Sequence, residues 1–304
     1  MSHSGNGASA DPALGTHGNG AGAEPLRLGG MALRNGLLIH GPRAWAAAAR
    51  TRDGRIEVSS GAKPVFWRGR MGSIPLLRGP LRLAEAFAVI PLARRRLPAA
   101  RLPIEDPRVL VVAFATAAAS GAIRRLGRAH TSGGRSTLRE GVIALLGVLP
   151  AAAALRDRDL AAYHGVEHKA IGAYERHSLD PADAPKEHER CGSNLIAPLL
   201  VLSVAGQLVI ERLSTHPGPL ARAAAGLASV SGAVELFAYA ERRPESGLGR
   251  GIHGVGHQIQ RLFSTREPTP EQLEVGSVAL REILLAEARL AEDIQPPHGS
   301  ADTL

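Results

Sequence analysis

Hydrophobic and polar positions fall into three regimes along the chain. The first, from Gly29 to about Ser60, is compact and strand-like. Met31-Ala-Leu-Arg-Asn-Gly36 opens it, and Arg52-Asp53-Gly54 reads as a tight turn joining residues 44–50 to 55–59 in a β-hairpin. The alanine run in 44–50 is a weak strand former. The second regime has helical period: Leu77, Leu81, Ala84, Phe87 and Ile90 recur at three- and four-residue spacing, which predicts a helix over 75–97 ending in Arg94-Arg95-Arg96. The third consists of four apolar segments near 109–123, 141–155, 195–210 and 219–240. Val109 to Ile123 holds nothing more polar than Thr116 and Ser120 and offers no side for water. Three of the segments run to about 15 residues, short of the ~20 that span a bilayer comfortably, so buried helices of a soluble bundle are the alternative. The missing amphipathic face and the abundance of small residues favour helices packed in lipid.

A polar insert over 156–194 separates the two apolar pairs, and a soluble helix is expected to close the chain. Thr269-Pro270-Glu271-Gln272 supplies an N-cap, a proline in the first turn and the partner of a capping box, which predicts a helix over 269–292. The first 25 residues or so are mixed Gly, Ala, Ser, Asn and His, too polar to bury surface and without the basic-then-apolar order of a signal peptide. The expected organisation is a disordered tail over 1–28, one membrane-associated domain over 29–292 and a second tail over 293–304. The fold class that follows is mainly α: an integral membrane helical bundle with a small N-terminal β-hairpin element and a soluble C-terminal helix.

Charge refines this picture. The net charge is +8 and the excess is arginine, in clusters between the apolar runs: Arg94 to Arg96, then Arg124, Arg125 and Arg128, then Arg242 and Arg243. Such clusters flank membrane segments. Aromatics are only 3%, too few for the stacking platforms of single-stranded nucleic-acid binders, so no nucleic acid is expected as a partner. With four spans, the insert and both terminal regions share the cation-rich side, which the positive-inside rule assigns to the cytoplasm. The arginines between 124 and 139 run against this count, and re-entrant helices would remove the conflict. Partners are thus the lipid bilayer and a substrate not specified by the sequence, with homo-oligomerisation left open.

The chemistry concentrates in the insert. A helix predicted to begin at Asp159 carries His164 and His168 four residues apart, so both imidazoles leave one face a turn apart. That spacing lets a helix grip one metal ion, and His164-Gly-Val-Glu167-His168 fits the H-x-x-E-H pattern of inverted zincins. Glu167 is placed to act as catalytic base on a water. Glu175 shares the face but lies about 10 Å along the axis from His168, too far to share the ion. His188 and Cys191, the chain's one cysteine, follow in a loop and offer an imidazole and a thiol. His164, His168 and Cys191 with His188 make an N/N/S set suited to a divalent metal, zinc above all. Glu235 is a further candidate ligand, because a carboxylate in an apolar helix calls for a function, although pairing with an arginine such as Arg222 would equally satisfy it. His253 and His257 repeat the spacing among Gly249, Gly251, Gly254 and Gly256, which favour a loop over a ligand helix.

Tyr163-His-Gly-Val-Glu-His-Lys169, Tyr174-Glu175, His188-Glu-Arg-Cys-Gly-Ser193 and Ser264-Thr-Arg-Glu-Pro268, with Gly29-Gly30, Gly36, Arg78-Gly79 and Arg82, resemble the YqhQ-type family of bacterial membrane proteins, domain of unknown function 1385. The likeness runs from Gly29 to about Leu285. It implies membrane location and a metal-dependent enzyme, without a substrate. Met31 and Asn35 stand where the family has Gln and Glu, Glu189 where it has Pro, and Ser264-Thr265 where it has Thr-Thr. The first of these departures implies the loss of two polar groups that could face the site. Two functions are therefore expected to compete: a metal-dependent membrane hydrolase, and a membrane scaffold whose metal or polar cluster only ties the insert together.

Overall fold

The computed structural model of the protein describes residues 25–66, 74–126, 133–214 and 217–293. Most of the two expected tails and Arg128 lie outside this range. The N-terminal boundary differs from expectation. Leu28 is buried in the core and the Leu26 amide donates to the Tyr174 hydroxyl at 3.1 Å, so structure begins before Gly29.

The β-hairpin element is larger than expected. Strands β1 (Gly29–Leu33), β2 (Gly36–His40), β3 (Ala44–Arg50) and β4 (Ile56–Ala62) form an antiparallel meander in the order β1-β2-β3-β4. The turn at Arg52–Gly54 joins β3 to β4 as expected. Sequence reading missed the partner hairpin because its turn is only Arg34 and Asn35. Asn35 does not face the site. Its amide donates to the carbonyls of Arg50 and Ala99 and accepts from the Arg101 amide, tying the turn to the chain after α1 (Arg78–Arg96).

Why an alanine run makes a strand here becomes clear from the packing. Ala44, Ala46 and Ala48 face Leu160, Val166 and Ala170 of α4 (Arg158–Glu175) and Ala279, Leu280 and Ile283 of α8 (Pro270–Glu292). Ala47 and Ala49 face the other way, toward Val89 and Ala93 of α1. Helices cover both faces of β3, and methyl side chains let them approach. Burial then selects the strand over weak intrinsic propensity. A buried carboxylate locks one end of the sheet: Glu287 Oε1 of α8 accepts from the amides of Arg43 and Ala44 at 2.8 and 2.7 Å.

The remaining helices are α2 (Pro107–Leu126), α3 (Gly133–Ala154), α5 (Ile196–Leu213), α6 (Pro219–Arg242) and α7 (Gly247–Ile259). α2, α3, α5 and α6 contain the four apolar segments and are longer than the apolar cores alone. With the short 3-10 turn preceding α5, all four reach 19 to 24 residues and are long and apolar enough to cross a membrane. α2 packs on α3, α3 on α5 and α5 on α6. Only 11–22% of each apolar stretch is buried inside the molecule.

Two of the arginines that conflicted with the charge count, Arg124 and Arg139, are paired. Arg124 and Arg139 both reach Glu140, Arg139 also pairs with Glu211, and Arg222 bonds Gln207 and lies 3.7 Å from Glu211. These residues stand toward the C-terminal ends of α2 and α5 and the N-terminal ends of α3 and α6.

Candidate metal centre

Asp157 caps α4, its carboxylate accepting from the amides of Asp159 and Leu160. The helix that follows is not the solvated element its charges suggest. From Leu160 to Ala173 every residue except His164 is buried. Gly165 explains part of the His-Gly-Val-Glu-His motif, because a Cβ there would lie 2.4 Å from the carbonyl oxygen of Arg266. The absent side chain lets the 264–268 segment lie against α4, held by the Arg266 amide donating to Ala161 O at 2.9 Å.

That segment orients the first histidine. His164 Nδ1 is 2.8 Å from the carbonyl oxygen of Ser264, and His168 Nδ1 is 2.6 Å from that of Lys186. A carbonyl can only accept, so each ring carries its proton on Nδ1 and leaves Nε2 as a lone pair. Outer partners of this kind fix the tautomer of metal-binding histidines. His164 Nε2 is 3.5 Å from Cys191 Sγ, the two rings are 4.4 Å apart, and the three ligand atoms all lie within 4.8 Å of one another. An ion bound at about 2.0–2.1 Å from nitrogen and 2.3 Å from sulfur would draw these atoms closer together than 4.8 Å. His168 is 1% exposed and its Nε2 has no hydrogen-bond partner, an orphaned buried atom that a metal would satisfy.

Burial sets the protonation states. It holds His168 well below the ordinary imidazole range, with the neighbouring His164 adding to the shift, and so keeps the ring neutral. It pushes the Cys191 thiol up to about 11, so metal binding would have to displace a proton. Burial likewise raises Glu167, opposed by His164 and His188.

Glu167 projects toward β1. It is 6% exposed, its Oε2 is 3.6 Å from His168 Nε2, and among the described residues its carboxylate accepts no hydrogen bond. Gly30 makes room for it, since a Cβ at that position would sit 2.6 Å from Glu167 Cγ and Oε1.

Two expected ligands fall outside the group. His188 lies beside it, its ring 5.8 Å from that of His168, but Nε2 faces Glu175 Oε2 at 3.2 Å and Nδ1 accepts from the Arg190 amide at 3.3 Å. Both of its nitrogens are engaged and it lies outside the group of three. Glu235 sits on α6 and is held by Arg78, whose Nε donates at 2.9 Å, and by the Leu76 amide at 3.2 Å. It pairs with an arginine as anticipated, yet with Arg78 rather than Arg222, because α1 lies beside α6. Glu175 stays with His188 and Arg190, away from the ion position. His253 and His257 prove to be helical, on α7, where Ser246 caps the first turn and outweighs the glycines.

The site opens on a cavity of about 480 Å³ that sequence reading did not foresee. His164, Glu167, His168 and Cys191 line it, together with His40, Met31 and Arg82. His40 lies at the end of β2, where no spacing motif marks it. Burial and the charge of Lys63 lower it to about 4. Gln260, fully buried, fixes the 188–193 loop by accepting from the His188 amide at 2.7 Å and donating to Ser193 Oγ at 2.9 Å.

No curated protein and no solved structure matches the chain significantly. Residues 137–286, which contain α4, the cysteine loop, the carbonyl that orients His164 and most of α8, match the family described as "Protein of unknown function (DUF1385)", and this match supports placing the chain in that family.

Proposed function

We propose that this protein is a multi-pass membrane enzyme of the YqhQ type that hydrolyses an acyl bond with a divalent metal, zinc by its donor set, held by His164, His168 and Cys191. One observation carries the reading. Both histidines commit Nδ1 to backbone carbonyls and turn Nε2 toward one thiol, at the end of a cavity that also holds an unpaired buried carboxylate. Among the described residues no fourth His, Cys, Asp or Glu joins the three. A structural zinc site is closed by four protein ligands, whereas a catalytic one keeps a position open, so the scaffold alternative is the weaker.

The bound metal supplies Lewis-acid polarisation of a carbonyl and acidifies water. Glu167 supplies the proton transfers. As the oxygen of water bonds to the acyl carbon, Glu167 takes the proton. As the bond to the leaving nitrogen or oxygen breaks, Glu167 returns that proton to it, giving an acid and an amine or alcohol. Gly30 keeps the carboxylate against the cavity floor.

Membrane location is supported by the four long apolar helices, of whose apolar stretches only 11–22% is buried inside the molecule. A soluble bundle would cover them. Arg124, Arg139 and Arg222 are offset in part by Glu140 and Glu211, which lowers the net positive charge on their side. The cation imbalance that remains supports a cytoplasmic metal side.

Substitution Glu167→Gln tests the mechanism. Zinc content should match the parent, since neither imidazole nor the thiol changes, while function scored by cellular complementation should fall by about 100-fold, the scale of a positioned base. A variant that keeps zinc and complements fully would return the site to a structural role.

A further inference from the structure

The cavity reaches well beyond the metal centre, and its far wall is apolar. Leu83, Phe87 and Ile90 line it from one face of α1, and Val234 and Phe237 line it from α6. Phe87 is 62% exposed and Arg82 is exposed too, so this end is the mouth, while His168 and Cys191 lie at the closed end. Val234 is eight residues from the end of α6, roughly 12 Å along its axis. The mouth therefore opens beside a helix proposed to cross the membrane, below its end rather than above it. α1 is fastened at that depth by the Arg78–Glu235 pair, and Ile74, Leu76 and Leu77 just before it are exposed apolar side chains. Arg82 has no ion pair among the described residues and stands at the rim.

From this geometry we infer that the cavity takes an anionic lipid laterally from the bilayer, its chain between α1 and α6, its charged headgroup on Arg82 and its acyl linkage at the metal end. The inference rests on the proposed hydrolase and names its substrate class. A water-soluble peptide would have no use for an apolar mouth opening at membrane depth. A headgroup anion on a guanidinium gains a charge-assisted bond. The chain keeps the apolar surroundings it had in the bilayer, so entry costs little transfer free energy.

The test is native mass spectrometry of the detergent-purified full chain with added dioleoyl phosphatidylglycerol or dioleoyl phosphatidylcholine. The parent should retain phosphatidylglycerol about 10-fold more tightly, the scale of one charge-assisted contact. Arg82→Gln should abolish that preference. Ala86→Trp, which fills the cavity from α1, should remove the tightly held lipid altogether. Ile90→Trp, one turn along, repeats that arm should Ala86→Trp fold poorly, and the parent's ratio needs no variant. Glycerol 3-phosphate, a headgroup without a chain, should fail to displace the lipid. Equal retention of the two lipids by the parent, parental retention in both tryptophan variants, or displacement by glycerol 3-phosphate would each overturn the inference. Zinc content on the same samples reports on the enzyme reading separately. Ala86→Trp should keep parental zinc. A parent without zinc that still shows the Arg82-dependent preference would sink the hydrolase and leave the lipid site standing.

Discussion

Replacing His168 and His188 separately by alanine distinguishes the proposed ligand set from the wider set suggested by sequence. His168 Nε2 is one of three converging ligand atoms and has no other partner. Zinc bound by a full protein shell is held by about 10–16 kcal/mol, so one ligand of three or four accounts for roughly 3 kcal/mol, or more than 100-fold in affinity. Removing the ring also leaves the Lys186 carbonyl without its donor. His188, by contrast, hydrogen-bonds Glu175 and the Arg190 amide and touches no ligand nitrogen, so its loss should weaken binding by less than about 10-fold, below the usual range for a residue that directly orients a ligand. The assay is titration of apoprotein with cobalt(II), whose visible absorption reports tetrahedral nitrogen and sulfur ligation, followed by zinc competition. Cys191→Ser in the same assay should remove the thiolate-to-metal band. Equal losses for His168→Ala and His188→Ala would refute the assignment of ligands.

Other substitutions probe the surroundings of the site. Gly30→Ala would bring a methyl within 2.6 Å of Glu167 Cγ and displace the carboxylate by about 1 Å, a misplacement that costs about 100-fold in function while cobalt affinity stays parental; an unchanged complementation score would show that the carboxylate position does not matter. His40 is lowered to about 4 in the folded protein from about 6.5 unfolded, so the unfolded chain binds the extra proton and stability falls as pH drops from about 6.5 toward 4, by up to about 3 kcal/mol. His40→Gln should flatten that part of the pH profile of thermal unfolding in chelator-treated protein, and parallel profiles would contradict the shift. Glu287→Ala strands the amides of Arg43 and Ala44 and should destabilise by about 2–5 kcal/mol, whereas Glu287→Gln, which keeps an acceptor, should cost less than half as much in a denaturation series.

What could be read from the sequence was whatever had a local period. The capping box at Thr269 forms as spelled, with Thr269 and Gln272 bonding reciprocally, and the four apolar runs, the α1 stripe and the turn at Arg52–Gly54 are all where the pattern put them. His164, His168 and Cys191 could be grouped because two share a helix face and the third follows in the next loop. Non-local causes were illegible. His188 and Cys191 look equivalent three residues apart, and only the approach of Glu175 and Arg190 separates a neighbour from a ligand. Glu235 found Arg78, some 157 residues away, because α1 docks on α6, a contact no spacing encodes. β3 was doubtful because alanine has little strand preference, and the reason for it is the pair of helices on its two faces. Met31 does line the cavity, while Asn35 holds a turn, so only one of the two departures in the opening motif touches the site.

The order of the site's parts along the chain has a consequence for biogenesis. His164 and His168 leave the ribosome first, Cys191 follows, and the carbonyl that orients His164 belongs to Ser264, beyond both α5 and α6. The centre therefore cannot be completed on a nascent chain. Two histidines and a thiol without their fixing carbonyl form a weak and unselective chelator. On the proposed function, tight metal capture would be deferred until α5 and α6 have been made and the segment after α7 has folded back onto α4, so a truncated chain would not trap the ion.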